Sequence, residues 1–407
     1  MRVLFVNPAA GLGGAERCLL DMLAALGSAR PGIERRVLLL SHGPLCEQIA
    51  ALGAEASVLP LPAALRGLGE SRLDGRSLAA LALRSPRLAA EAAAYARSFR
   101  CRVDELRPDI VHSNGIKAHV LCTALARQHS RVVVHMHDFL GRRRLSRYAL
   151  RALCASDVSV VAVSKAIALD CAQVLPRARV ELVYNAIDPS YFCPGHAERA
   201  WLSSLAGMKA PAPGVTTFVL AASYARWKGQ DLLLRAVARA LSREPRLAAR
   251  WYIVGGPIYE TSGGEFSCDE LRSLARELRI DGQVGFVPFV EDVARVFRSA
   301  DVVVNASDGR EAFGRTIVEA MACEKAVIAC TAGGAGELFE HGLTALGFGA
   351  GDEDALSAAM LRVAGDPELR RSLGRAARAH VLERFDRRRL GSELLGVYEH
   401  SLRGGRP

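Results

Sequence analysis

The chain has 407 residues, with 53 Lys plus Arg against 43 Asp plus Glu and a formal net charge of +10. Its length predicts two domains rather than one, its 50% hydrophobic content excludes a disordered chain, and no apolar run nears the roughly 20 residues that cross a bilayer. Positive charge suits nucleic acid, an anionic lipid surface or phosphorylated substrates, but aromatics are only 6% of the residues and no basic run interleaves with them, so nucleic acid is not an expected partner.

In chain order, MRVLFVNPAAGLGGAE begins like a signal peptide. Its apolar run is broken by Asn7-Pro8 and a glycine loop follows, so VLFVN (3–7) reads as a first strand. Further β-branched runs follow at RVLLLS (36–41), DIVHS (109–113), VVVHMH (132–137) and VSVVAVS (158–164). Residues 60–105 are rich in Ala, Leu and Arg with helical spacing, interrupted at Pro86. Residues 189–214 are Pro- and Gly-rich, lack strand pattern and read as a break. The runs then resume at TFVLAAS (217–223), WYIVGG (251–256), VGFVPF (284–289), DVVVNAS (301–307) and AVIAC (326–330), and FDRRRLGSELLGVYEHSL reads as a closing helix. The runs are nearly all apolar rather than alternating, which marks strands buried on both faces. The expected class is α/β, with two Rossmann-like, doubly wound parallel-sheet domains at 1–190 and 205–385. The last segment, 386–407, is expected to return toward the first domain. Ten cysteines are scattered singly without a Cys-x-x-Cys pair, as in the apolar contexts of Cys122, Cys154 and Cys323. They read as reduced core thiols of a cytosolic protein.

Ligands of open parallel sheets bind beyond the carboxyl ends of the strands. The polar residues of this chain gather there: GLGGAE, His112, His137, Ser223, Gly255-Gly256 and Ser307. Two such edges facing each other would form an interdomain cleft. In SDGREAFGRTIVEAMA (307–322), a strand ends near Ser307, a loop carries Glu311, Gly314 permits close backbone approach, and a helix begins. The N–H groups near Phe313, Gly314, Arg315 and Thr316 can hold phosphate oxygens. Glu319 suits a vicinal diol such as ribose, and Glu311 the hydroxyls of a second sugar. Together they describe a nucleoside diphosphate sugar; taken singly, they are also consistent with solvated surface acids.

EAFGRTIVEAMA resembles the E-x7-E signature of the retaining glycosyltransferases of family 4, which have the GT-B fold. GGAE (13–16), the His-Asp of VVVHMHDF, VAVSKAI, VYNAID (183–188), RWKGQDLLLRA (226–236) and GGAGEL (333–338) resemble further family segments in the same order. The resemblance implies that Glu311 contacts the transferred sugar, Glu319 the ribose, and the backbone at Phe313 and Gly314 the sugar and phosphates. It makes Lys228 the cation for the diphosphate leaving group and His137 a contact to the transferred sugar. Many relatives carry Arg five residues before the Lys; Ser223 stands there, and Arg226 is expected to supply the second cation. Val287, in VGFVPF, is expected against the base, with UDP favoured and GDP next. Gly13, Gly14 and Glu16 would approach donor phosphates or the acceptor, and the acceptor is expected to be a glycan or lipid-linked. The C-terminal domain would hold the donor, and the N-terminal domain the acceptor.

No metal or other cofactor is expected, since no Asp-x-Asp motif stands out and the His135-x-His137 pair lacks further ligands nearby. His112 and Asn114, at another strand end, would line the acceptor side or cap the following helix, and the cap is favoured. Arg142, Arg143, Arg144 and Arg147 in GRRRLSRYALRAL (141–153) read either as a face for an anionic membrane, giving peripheral attachment on its cytoplasmic side, or as a solvated helix face. A dehydrogenase reading fails: GLGGAE is not G-x-G-x-x-G, and the second strand ends in Ser-His rather than an acid. A sugar-nucleotide epimerase and a catalytically silent nucleotide-sugar binding protein remain as alternatives.

Overall fold

The structure is a computed structural model describing residues 1–66, 86–127, 130–154, 157–256 and 264–403. The middle of the Ala-, Leu- and Arg-rich stretch, 67–85, lies outside the described residues. From Pro86 onward the described residues form a helix, Pro86–Leu106.

Among the described residues the first sheet contains β1 (Arg2–Asn7), β2 (Glu34–Leu39), β3 (Glu55–Val58), β4 (Ile110–Asn114), β5 (Arg131–Met136), β6 (Val158–Ala162) and β7 (Arg179–Leu182). The second contains β8 (Thr216–Ala221), β9 (Ala249–Val254), β10 (Val284–Val287), β11 (Val302–Asn305), β12 (Ala326–Cys330) and β13 (Leu346–Phe348). The orders are β3-β2-β1-β4-β5-β6-β7 and β10-β9-β8-β11-β12-β13. The pairings within both sheets are parallel. Each sheet is therefore doubly wound, and strand order reverses once in each, between β1 and β4 and between β8 and β11.

The chain divides into two compact units, Met1–Ala186 with the segment from Arg387 onward, and Ile187–Asp386. In the first, Val3, Phe5, Val37, Leu39, Ile110, Val133 and Val161 pack with Leu19, Met22, Leu23 and Leu26 of helix Gly14–Ala29. The final helix, Arg387–Arg403, adds Leu390, Leu394, Val397 and Tyr398 to that core. Arg387 also stands 3.6 Å from Asp21.

In the second unit, Phe218 stacks on Trp251 with ring centroids 5.4 Å apart. Leu232, Val237, Val302, Ile328 and Met360 continue that core. The Pro- and Gly-rich segment after Ile187 is built into this unit. Glu198 pairs with Arg295 and Arg199 with Asp301, both at 2.5 Å. Asp301 in turn accepts from Thr217 N at the start of β8 (2.8 Å).

Candidate functional site

In the second unit the site forms where strand order reverses. The loop after β8 runs to Gly229, which opens helix Gln230–Arg243 at φ 74°. A Cβ there would lie 2.0 Å from Ala306 O, so only glycine lets this turn touch the loop after β11. Asp308 N donates to Trp227 O across the same seam (3.0 Å). These backbone contacts bring Lys228 to Glu311, Nζ to Oε2 2.6 Å, with side chains 20% and 10% exposed. Ser307 Oγ, 2.5 Å from Asn305 Oδ1, also reaches Glu311 Oε2 at 3.3 Å. A charged bond that short in a half-buried setting is strong and directional.

Gly314, at φ 100°, opens helix Arg315–Ala322, as the Phe-Gly break in the sequence requires. The helix places Glu319, which is buried, one turn inside, where Oε1 accepts from Arg315 Nε at 3.0 Å. Both carboxylates of the E-x7-E pair thus carry a cation. Phe313 is buried edge-on against Phe385, centroids 5.8 Å apart. Thr316 is half-buried in the first turn.

Arg226 is not brought to the carboxylates. It pairs with Glu270 at 2.8 Å and lies over the Phe266 ring, so its charge is already matched. Ser223 contributes a carbonyl to Gln230 Nε2 at 2.7 Å. Val287 has no exposed surface, and its carbonyl accepts from Gly255 N at 3.0 Å. The exposed ring of that segment is Phe289.

In the first unit the switch point holds a buried polar chain. Asn7 ends β1 and Asn114 ends β4, and Asn114 Nδ2 donates to Asn7 Oδ1 at 2.6 Å. Asn7 Nδ2 lies 3.2 Å from Oε1 of Glu16, a buried carboxyl in the first turn of the helix that Gly13 and Gly14 open. Desolvation raises the pKa of Glu16 against the opposing bond from Asn7. Asn114 Oδ1 lies 2.6 Å from His137 Nε2, just beyond β5. His137 stacks on His135, centroids 4.5 Å apart and planes within 9°, as alternation along a strand places them.

His112 and Asn114 do not cap the following helix, Ile116–Leu125, whose N-cap is Gly115 with no side-chain bond. Buried polar side chains need polar partners, and theirs are in the sheet, the first helix, the loop after β5 and the final helix. His112 bonds Tyr398 OH (2.7 Å) and His135 Nδ1 (3.0 Å). Asn7 and Asn305 are the site residues that sequence reasoning did not assign, and Asn114 and Ser307 were named without the partners they have here. Their signal was a polar residue closing an otherwise apolar strand.

The arginine-rich stretch is not one continuous helix. A short 3-10 turn, Leu140–Arg142, precedes helix Arg144–Leu153. Arg142 is exposed and lies over Phe139. Arg143 pairs with Asp138 at 2.9 Å. Arg147 bonds Gly141 O and Tyr148 OH, and Tyr148 is 62% exposed. The side chain of Arg144 lies outside what the structure describes. No helix among the described residues is long and apolar enough to cross a membrane.

Residues 12–191 match the family model described as Glycosyltransferase Family 4, and residues 215–366 the one described as Glycosyl transferases group 1. The D-inositol 3-phosphate glycosyltransferase of Saccharomonospora viridis is 34% identical over 227 residues, 55% of this chain and 50% of that protein. Its namesake in Actinosynnema mirum is 31% identical over 263 residues, 64% of this chain and 59% of its own length. The chain thus spans about half the length of the curated relatives it matches. Anabaena HepE, solved with UDP and glucose, has a TM-score of 0.78 over 98% of this chain and 100% of that one, at 23% identity, a likeness that shows the fold. Two doubly wound parallel sheets, the E-x7-E carboxylates at the switch point of the second, and family matches on either side of residue 200 lead to one conclusion: the chain belongs to glycosyltransferase family 4 and has the GT-B fold.

Proposed function

We propose that this protein transfers a hexose-type sugar from a nucleoside diphosphate donor, UDP before GDP, to a glycan or lipid-linked acceptor, with retention at the anomeric carbon. The observation that carries this is the Lys228–Glu311 pair at 2.6 Å, set at the switch point of the second sheet beside a helix N-terminus. A departing nucleoside diphosphate gains negative charge, and a fixed ammonium and helix amides stabilise it without reorganising. Glu311 holds Lys228 in place and offers its carboxylate to sugar hydroxyls; Glu319, fixed by Arg315, takes the ribose diol. In this scheme His137 of the first unit orients the sugar. The leaving group's charge is assigned to Lys228 and the helix, with no metal. Same-face departure and attack on an oxocarbenium-like centre gives retention, which the anomeric configuration of the product reports.

Anabaena HepE was solved with UDP and with UDP-glucose, which supports UDP as the first donor to try. The relatives' names put D-inositol 3-phosphate in the acceptor panel. The test is thermal unfolding in EDTA with UDP, GDP, ADP or NAD, alongside Glu319→Ala. A nucleotide at about 100 times its dissociation constant adds roughly 2.7 kcal/mol. A shift with UDP that Glu319→Ala abolishes, followed by turnover that needs Glu311, is the expected result. No shift with any diphosphate removes the donor site. A shift without turnover favours the silent binding protein, and exchange at a sugar stereocentre the epimerase.

The exposed Arg142 and Tyr148, with Arg143, Arg144 and Arg147, are proposed to meet an anionic membrane surface. Replacing the four arginines by glutamate should abolish sedimentation with phosphatidylserine liposomes; undiminished sedimentation would refute this contact.

A further inference from the structure

The amides between Glu16 and His137 have a direction. Asn7 Nδ2 lies 2.5 Å from Ala9 O and 3.2 Å from Glu16 Oε1. Two acceptors there place the amide nitrogen on that side and turn Asn7 Oδ1 toward Asn114. Asn114 Nδ2 likewise faces two acceptors, Asn7 Oδ1 at 2.6 Å and Ala15 O at 3.1 Å. The atom 2.6 Å from His137 Nε2 is therefore Asn114 Oδ1, and an amide oxygen only accepts. Each amide orientation is set by a backbone carbonyl, whose role cannot change.

We propose that Asn114, held in turn by Asn7 and Glu16, is the positioning residue of His137: it keeps the proton on Nε2 and makes Nδ1 the basic nitrogen of the ring. The other constraint comes from His135, stacked on His137 at 4.5 Å and itself bonded to His112, whose far nitrogen bonds Tyr398 OH. Rotating the ring or exchanging its tautomer would strand a buried amide oxygen, which is costly. The titratable groups around the ring are His112, His119 and His135 of the buried cluster, Glu16 at the helix start, and the Asp138–Arg143 pair in the next loop. The tautomer is a property of the first unit alone. Its effect on turnover rests on the glycosyltransfer proposed above.

The test is long-range proton–nitrogen correlation NMR on the full chain labelled with 15N, with His137→Gln to assign the resonances. The neutral ring is expected as the Nε2–H tautomer; Nδ1–H in the parent protein overturns the proposal, whatever any variant does. In Asn114→Leu the two tautomers should mix. The kcat for UDP release from UDP-glucose should then fall by roughly 10- to 100-fold, the range seen when the orienting partner of a metal-bound histidine is removed, with KM little changed. An unaltered tautomer in that variant also overturns it. If the tautomer behaves as expected but His137→Gln releases UDP as fast as the parent, the positioning stands and the assigned role of His137 in transfer falls.

Discussion

His112 lies fully buried between His135 and Tyr398, and burial pulls its pKa down from 6.5 to about 3. His119 and His135 are shifted the same way for the same reason. The unfolded chain binds these protons near pH 6.5 and the folded chain does not, so between pH 6.5 and 3 the unfolded state holds more protons. Stability therefore falls as pH drops through this window, by on the order of a few kcal/mol by pH 4. Urea unfolding between pH 7.5 and 4.5 should show that slope, and His112→Gln should flatten it; an equal slope in the variant would locate the proton uptake elsewhere. At this scale Glu311 and Glu319 were legible because their spacing about a glycine break is local. The partner of Lys228 was not, since Glu311 is 83 positions away. Nor was that of Arg226, because Glu270 reaches it only through the fold.

Short turns decide whether the site forms at all. Gly229 combines a left-handed φ of 74° with a Cβ position 2.0 Å from Ala306 O, so Gly229→Ala must either distort the loop after β8 or push back the loop after β11. A cost above about 1 kcal/mol from the φ alone is expected, with more from the clash. The variant should lose the nucleotide-induced melting shift while the fold of the first unit persists. A shift equal to that of the parent would show that the two loops need not touch for binding. Element types were otherwise readable where strands are buried on both faces. Among the described residues the three strands not read, EASV (β3), RVEL (β7) and LGF (β13), each lie at a sheet edge. An edge strand has one paired side and more solvent contact, so it needs neither length nor an unbroken apolar run. The arginine-rich stretch was read as one helix because its spacing is helical; the break into a 3-10 turn and a separate helix sits beside the Arg143–Asp138 pair.

The chain leaves its first unit at Ala186 and re-enters it at Arg387. Ending the protein after Asp386 would remove Leu390, Leu394, Val397 and Tyr398 from the first core, together with the hydroxyl that bonds His112. At roughly 1.5–3 kcal/mol for each buried large side chain, that loss approaches the 5–15 kcal/mol stability of a typical domain. The truncated chain should lose hydrogen-exchange protection across β1, β4 and β5 while the second unit still binds UDP. Retained protection would mean that the first core stands without its final helix. By itself the sequence determined two sheets of strands buried on both faces and the place of the E-x7-E carboxylates at a strand-to-helix turn, because each rests on periodicity or spacing within about 20 residues, and the order of its motifs along the chain pointed to the family. Only the tertiary structure decided that Lys228 is held by Glu311, that Arg226 is spent on Glu270, and that Asn7, Asn114 and Glu16 stand behind His137. Those contacts arise where strands distant in sequence end side by side at a switch point, and the order in which strands lie in a sheet is set by packing of the whole unit rather than by any local run of residues.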